Sequence, residues 1–184
     1  YLLGTLLRLA PEAYTRAARA AADAGRTYHR GFERLFTRIL EHSGVFRREE
    51  VELYHQWVEP TAAEVTEEWA LWRTSLSPAE IVALRVKLEE SMHALLEADS
   101  ERFEGWQIEV LERYEWVYFE EDAVLGGFMD RRMLGPGGAA VIDYKKNRLP
   151  TKKAFRVDPE DPTHVGELQL PLYAEILGRL GRRI

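Results

Sequence analysis

Asp130, Asp143 and Lys145 are the residues whose types and spacing point most directly to chemistry. Asp143 and Lys145 stand two apart in Val141-Ile-Asp143-Tyr-Lys145, and side chains two apart on a strand share a face. Asp130 closes the earlier segment Gly127-Phe-Met-Asp130, and the turn cluster Gly135-Pro136-Gly137-Gly138 separates the two. The pattern predicts paired strands over residues 124–133 and 139–145, a hairpin that draws the aspartates towards each other. Two carboxylates, with one backbone carbonyl between Asp143 and Lys145, form an oxygen-rich site suited to magnesium or manganese. Such a cation polarises a phosphodiester and acidifies a bound water, while a nearby lysine orients that water and offsets growing negative charge. Asp-x-Lys alone is a weak signal whose commonest meaning is a surface ion pair. The aspartate, turn, Asp-x-Lys order is far more specific.

The flanking elements must position these groups. From Tyr28, the apolar residues Phe32, Leu35, Phe36, Ile39 and Leu40 mark the buried stripe of a helix that Gly44 stops. His29 lies at the border of that stripe with Glu33 one turn on. The alanine-rich residues 11–23 predict an earlier helix with a break at Gly25. Residues 48–58 predict a helix ended by Pro60, Thr61-Ala-Ala-Glu64 reads as a capping box, and Ser77-Pro78-Ala79-Glu80 starts a helix running to about residue 98. Trp57, Trp69 and Trp72 read as core in preference to a docking surface, and His55 and His93 show no partner at ligand spacing. Tyr114, Trp116 and Tyr118 alternate with Glu115 and Val117 and predict a strand leading into the hairpin. Prolines 150, 159 and 162 predict a loop up to His164, after which helical periodicity returns over residues 166–180, with Gln169 and Tyr173 four apart.

A chain of 184 residues with 46% hydrophobic content suits one domain with a real core. It has no cysteine, which excludes disulfides and cysteine-held iron-sulfur clusters and favours a cytoplasmic protein. No apolar run is long enough to span a bilayer. The chain starts at Tyr1, which predicts a part of a longer protein. Its net charge of −6 hides three blocks: residues 1–48 carry 9 basic against 4 acidic residues, residues 49–122 carry 5 against 20, and residues 123–184 carry 11 against 7. Four of the five lysines, Lys145, Lys146, Lys152 and Lys153, gather near the acidic pair with Arg131, Arg132, Arg148 and Arg156. That cluster could attract a polyanion such as DNA.

Four segments together resemble the RecB-like branch of the PD-(D/E)XK nuclease superfamily: Gly25-Arg-Thr-Tyr-His29-Arg-Gly-Phe-Glu33, Gly127-Phe-Met-Asp130-Arg, Val141-Ile-Asp143-Tyr-Lys145, and Leu168-Gln169-Leu-Pro-Leu-Tyr173-Ala. The resemblance implies His29, Asp130 and Asp143 as ligands of Mg2+ or Mn2+, with the Tyr144 carbonyl completing the set and Lys145 as the catalytic lysine. Gln169 and Tyr173 would line the site, and Glu33 would orient His29. Lys146, Arg148, Lys152, Lys153 and Arg131 would contact DNA. Relatives with a four-cysteine iron-sulfur staple differ from this chain, and no helicase motif is visible in it. The expected architecture is α/β, a small mixed central sheet flanked by helices in a restriction-endonuclease-like core, with a helical insertion over about residues 45–105. The expected activity is metal-dependent DNA hydrolysis, as an exonuclease on a single strand or an end, in repair or recombination beside a helicase or repair complex. The rival expectation is a domain that keeps the fold for DNA binding or scaffolding without turnover.

Overall fold

In the computed structural model, residues 16–72, 76–120, 123–145 and 169–181 are described. Helix α1 (Arg16–His42) is followed by a 3-10 turn (Arg48–Glu50), α2 (Val51–Gln56), α3 (Val58–Trp72) and α4 (Pro78–Arg102). Strands β1 (Gln107–Glu120), β2 (Ala123–Gly135) and β3 (Gly138–Ile142) come next, then helix α5 (Gln169–Arg179). The α/β architecture is the expected one. Among the described residues the sheet is antiparallel in the order β1-β2-β3, and no parallel pair is present that would make it mixed.

The sequence sets several boundaries by simple physics. Ser77 caps α4, accepting from the Glu80 amide while the Glu80 carboxylate accepts from the Ser77 amide, with Pro78 at the first helical position. The β2–β3 turn sits between Gly135 and Gly138, which pair in register as the glycine-proline cluster predicts. Four expectations are corrected. Helix α1 runs through Gly25 without a break, since the stripe from Thr27 to Ile39 buries the whole length of its second half. Helix α3 begins at Val58, before Pro60: proline in a first turn leaves no hydrogen bond unmade, so it starts this helix where it was expected to end the preceding one. The Thr61 amide accordingly bonds the Trp57 carbonyl and Thr61 is buried, so the capping box does not form there. Strand β3 ends at Ile142, so Asp143 to Lys145 lie just beyond it.

Two apolar clusters hold the layers together. The larger joins Leu35, Phe36 and Ile39 of α1 to Tyr54, Val58, Leu88 and Met92 of the helical segment and to Ile108 and Met133 of the sheet. The helices between the motifs thus share the core of the helix that carries His29. Trp57 packs against this cluster as expected; the Trp72 side chain lies outside the described residues. The smaller cluster seats α5 on the other side of the ribbon through Tyr173, Ile176 and Leu177 against Val117 and Met129. His55 and His93 were expected to be partnerless, yet α2 and α4 bring their Nδ1 atoms to 2.6 Å and place His55 Nε2 2.9 Å from Glu97 Oε1.

Candidate metal centre and nuclease site

His29 projects from the middle of α1 towards the β1–β2 ribbon. Its Nδ1 lies 3.3 Å from Glu112 Oε1 and 3.3 Å from Asp130 Oδ1. The register pairs Leu111 with Arg131 and Arg113 with Met129, which sets Glu112 across from Asp130. The three residues offer an imidazole nitrogen and two carboxylate oxygens within 4.8 Å of one another, a donor set that fits a divalent cation. Asp130 is buried, and its Oδ2 accepts the Tyr144 amide at 2.6 Å, which fixes the carboxylate. Hydrogen bonds to Asp130 and Glu112, outweighing burial, push His29 up to about 10 from the ordinary 6.5. Two carboxylates converging on one imidazole therefore favour a positive charge at this point.

Glu112 is a candidate ligand that sequence reasoning missed. It is one of 20 acidic residues in the segment 49–122, and no spacing rule separates it from its neighbours. Its backbone has φ of +43°, a left-handed conformation in which a residue with a side chain is strained. The irregular backbone turns its carboxylate to His29 from within a strand.

Asp143 and Lys145 form a second cluster. Lys145 Nζ lies 2.7 Å from Asp143 Oδ2 and donates to Gln169 Oε1 at 2.6 Å, while Gln169 Nε2 donates to Asp143 Oδ1 at 2.7 Å. Gln169 Nε2 also donates to the Tyr173 hydroxyl at 2.8 Å, and that hydroxyl donates to the Phe128 carbonyl, two residues before Asp130. Tyr173 reaches the strand because Gly127 has no side chain: a Cβ there would stand 2.5 Å from the tyrosine ring. The α5 helix thus ties the Asp-x-Lys segment to β2. The two clusters open on different hollows. A cavity of about 670 Å³ is lined by His29, Glu112, Asp130, Phe128, Arg26 and Arg30. One of about 330 Å³ is lined by Asp143 and Lys145 with Ile142, Leu95, Arg102 and Leu170. Asp143 does not join the group that gathers on His29.

The structure relocates two expected site residues, Arg131 and Glu33, and one residue of the basic cluster, Arg132. Arg131 is fully buried, with Nη1 2.6 Å from Asp99 Oδ2 and the guanidinium 3.8 Å above the Phe36 ring, so it is a core residue and not a DNA contact. Arg132 is drawn inward as well, 2.6 Å from Glu109 and 3.4 Å from Glu115. Glu33 pairs with Arg30 at 2.6 Å, and the carboxylates that face His29 belong to Glu112 and Asp130. The expected DNA contacts Lys146, Arg148, Lys152 and Lys153, together with Arg156 and His164, lie outside the described residues.

The four motifs, on α1, β2, the end of β3 and α5, sit within a single match. A family model described as the PD-(D/E)XK nuclease superfamily covers residues 1–183. The chain belongs to the PD-(D/E)XK nuclease superfamily. Enzymes of this superfamily are in general metal-dependent nucleases, which agrees with the donor set on His29 and with the Asp143-x-Lys145 segment. No curated protein and no solved structure matches the chain. Among the described residues, no helix is long and apolar enough to cross a membrane.

Proposed function

We propose that this PD-(D/E)XK chain is a divalent-metal-dependent deoxyribonuclease, an exonuclease of RecB-like type that cuts a single strand or a DNA end. The observation that carries this reading is the convergence of His29, Glu112 and Asp130 on one cavity, beside an Asp-x-Lys segment. His29 and Asp130 would hold the Mg2+ or Mn2+ ion, with Glu112 as an added ligand and with Asp143 and the Tyr144 carbonyl as the ligands the sequence pattern supplies. A bound cation of this kind polarises the scissile phosphate and lowers the pKa of a water.

The chain's own residues supply the rest. Lys145, held between Asp143 and Gln169, presents an ammonium that orients the attacking water and offsets charge on the phosphate. Gln169 fixes both members of the Asp-x-Lys pair, and Tyr173 fixes Gln169 against β2. The tether holds the lysine ready for reaction, so little reorganisation is needed when substrate arrives. On this reading the protein acts in the cytoplasm in DNA repair or recombination, beside a helicase or repair complex.

The test incubates the purified chain with linear duplex and single-stranded DNA in Mn2+ or Mg2+. Cleavage that Lys145→Ala abolishes is the expected result. No cleavage, or cleavage unchanged in Lys145→Ala, would contradict the reading, and cation binding without turnover would favour a nuclease fold kept for binding alone.

A further inference from the structure

The same face of the β1–β2 ribbon that carries Glu112 and Asp130 continues outward as an aromatic stripe. Tyr114, Trp116 and Tyr118 follow Glu112 at alternate positions, and Phe128 stands two residues from Asp130. Register pairs Tyr114 with Phe128 and Trp116 with Gly126. The Tyr114 and Phe128 rings are 6.4 Å apart, and the Trp116 and Tyr118 rings 5.4 Å apart. Tyr114 lies across the ribbon over Gly126, where a Cβ would stand 2.2 Å from its hydroxyl oxygen, so the glycine makes room for the ring. All four rings are between 51% and 66% exposed, an unusual density of apolar surface for one hairpin. Phe128 also lines the His29 cavity, so the stripe and the candidate metal centre form one surface.

Resting on the nuclease reading above, we propose that this stripe is a stacking platform for unpaired bases, which delivers a single strand to the His29 cavity. Three observations favour nucleotides over a protein as the occupant. The rings stand half-exposed in a row along one face of the ribbon, and any base can stack on them because every base has a π-face. The stripe spans about 20 Å from Glu112 to Tyr118 at strand rise, room for several stacked bases. A protein seated on this face would lie across the mouth of the cavity and close it to substrate. A duplex hides its base faces, so the platform selects single strands.

The test measures fluorescence anisotropy of a labelled oligothymidylate and of a blunt duplex at low salt in chelator, where no cleavage can occur. Wild type is expected to bind the oligothymidylate more tightly than the duplex. Trp116→Ala and Tyr118→Ala should each weaken oligothymidylate binding by about five- to 100-fold, and Trp116→Phe should retain most of it. These side chains are half-exposed, so unchanged thermal unfolding is expected and serves as the control for folding. Failure of wild type to bind the oligothymidylate, or equal binding by wild type and both alanine variants, would overturn the platform and leave the stripe as a protein-docking face. Asp130→Asn separates the two readings: it should abolish metal-dependent cleavage while leaving oligothymidylate binding in chelator intact. Wild type that binds through the stripe yet never cuts would refute the nuclease reading alone.

Discussion

Glu112 stands across the β1–β2 ribbon from Asp130, and the two carboxylates share His29 Nδ1 at 3.3 Å each. A helix and two strands thus meet on one nitrogen. On the proposed function Glu112 is a cation ligand, and Glu112→Gln should reduce Mn2+ affinity by about tenfold or more. Isothermal titration against wild type checks this, with thermal unfolding showing that the fold survives. Equal affinities would remove Glu112 from the site.

His29 gives the metal-free protein a pH signature. Asp130 and Glu112 favour its charged form, so its pKa in the folded state, about 10, exceeds the ordinary 6.5 of an unfolded chain. A raised pKa contributes stability that is full below about 6.5 and is lost as pH rises towards 10. The stability advantage of wild type over His29→Ala should therefore be largest near pH 6 and shrink steadily up to pH 10, as read by urea unfolding in chelator. Mn2+ must displace the same proton, so its binding at neutral pH should release protons, seen as a dependence of binding heat on buffer ionisation. An advantage that grows with pH would contradict the assignment.

Arg131 and Asp99 make a different prediction, because both are buried and neither lines the His29 cavity. Burial raises the pKa of Asp99 despite the opposing charge of Arg131, which marks an ion pair whose desolvation is incompletely offset. Removing one member leaves the other stranded: Arg131→Ala should cost about 3–5 kcal/mol. Replacing both, as Arg131→Met with Asp99→Leu, should cost far less. Chemical denaturation of the single and double variants measures the difference, and a harmless Arg131→Ala would place the arginine at the surface after all.

Gly127 tests the tether from α5. A methyl group there would meet the Tyr173 ring, so Gly127→Ala should destabilise by about 1–3 kcal/mol and displace the tyrosine that holds Gln169. Cleavage should fall with it, and Tyr173→Phe, which keeps the buried ring but removes the hydroxyl bonded to Gln169 and to the Phe128 carbonyl, should keep most of the stability while lowering the cleavage rate. An unchanged cleavage rate in Tyr173→Phe would show that Tyr173 only fills space.

The contrast between Asp130 and Glu112 shows how much of this site could be read from sequence. The turn cluster placed Asp130 on its strand and a helical spacing of four put Gln169 and Tyr173 on one side of α5, whereas Asp143 and Lys145 meet although β3 ends before them, at Ile142. The three sequential strands and the buried stripe of α1 were legible for the same reason. Glu112 was not, since its role arises from strand register and a positive φ, neither of which leaves a mark in a run of acidic residues. Arg131 was misread because its partner Asp99 lies on α4, far away in the chain, and basic residues beside an acidic pair look alike whether they face solvent or core. Glu33 shows the limit of helical spacing: one turn from His29, it turns instead to Arg30.

The measurement that bears most directly on the metal-dependent nuclease is the anomalous diffraction of a crystal soaked in Mn2+. A manganese peak bonded to His29 and Asp130 is predicted, with Glu112 or Asp143 completing the carboxylate ligands. A soaked crystal without such a peak, or with manganese held only elsewhere on the protein, would contradict it.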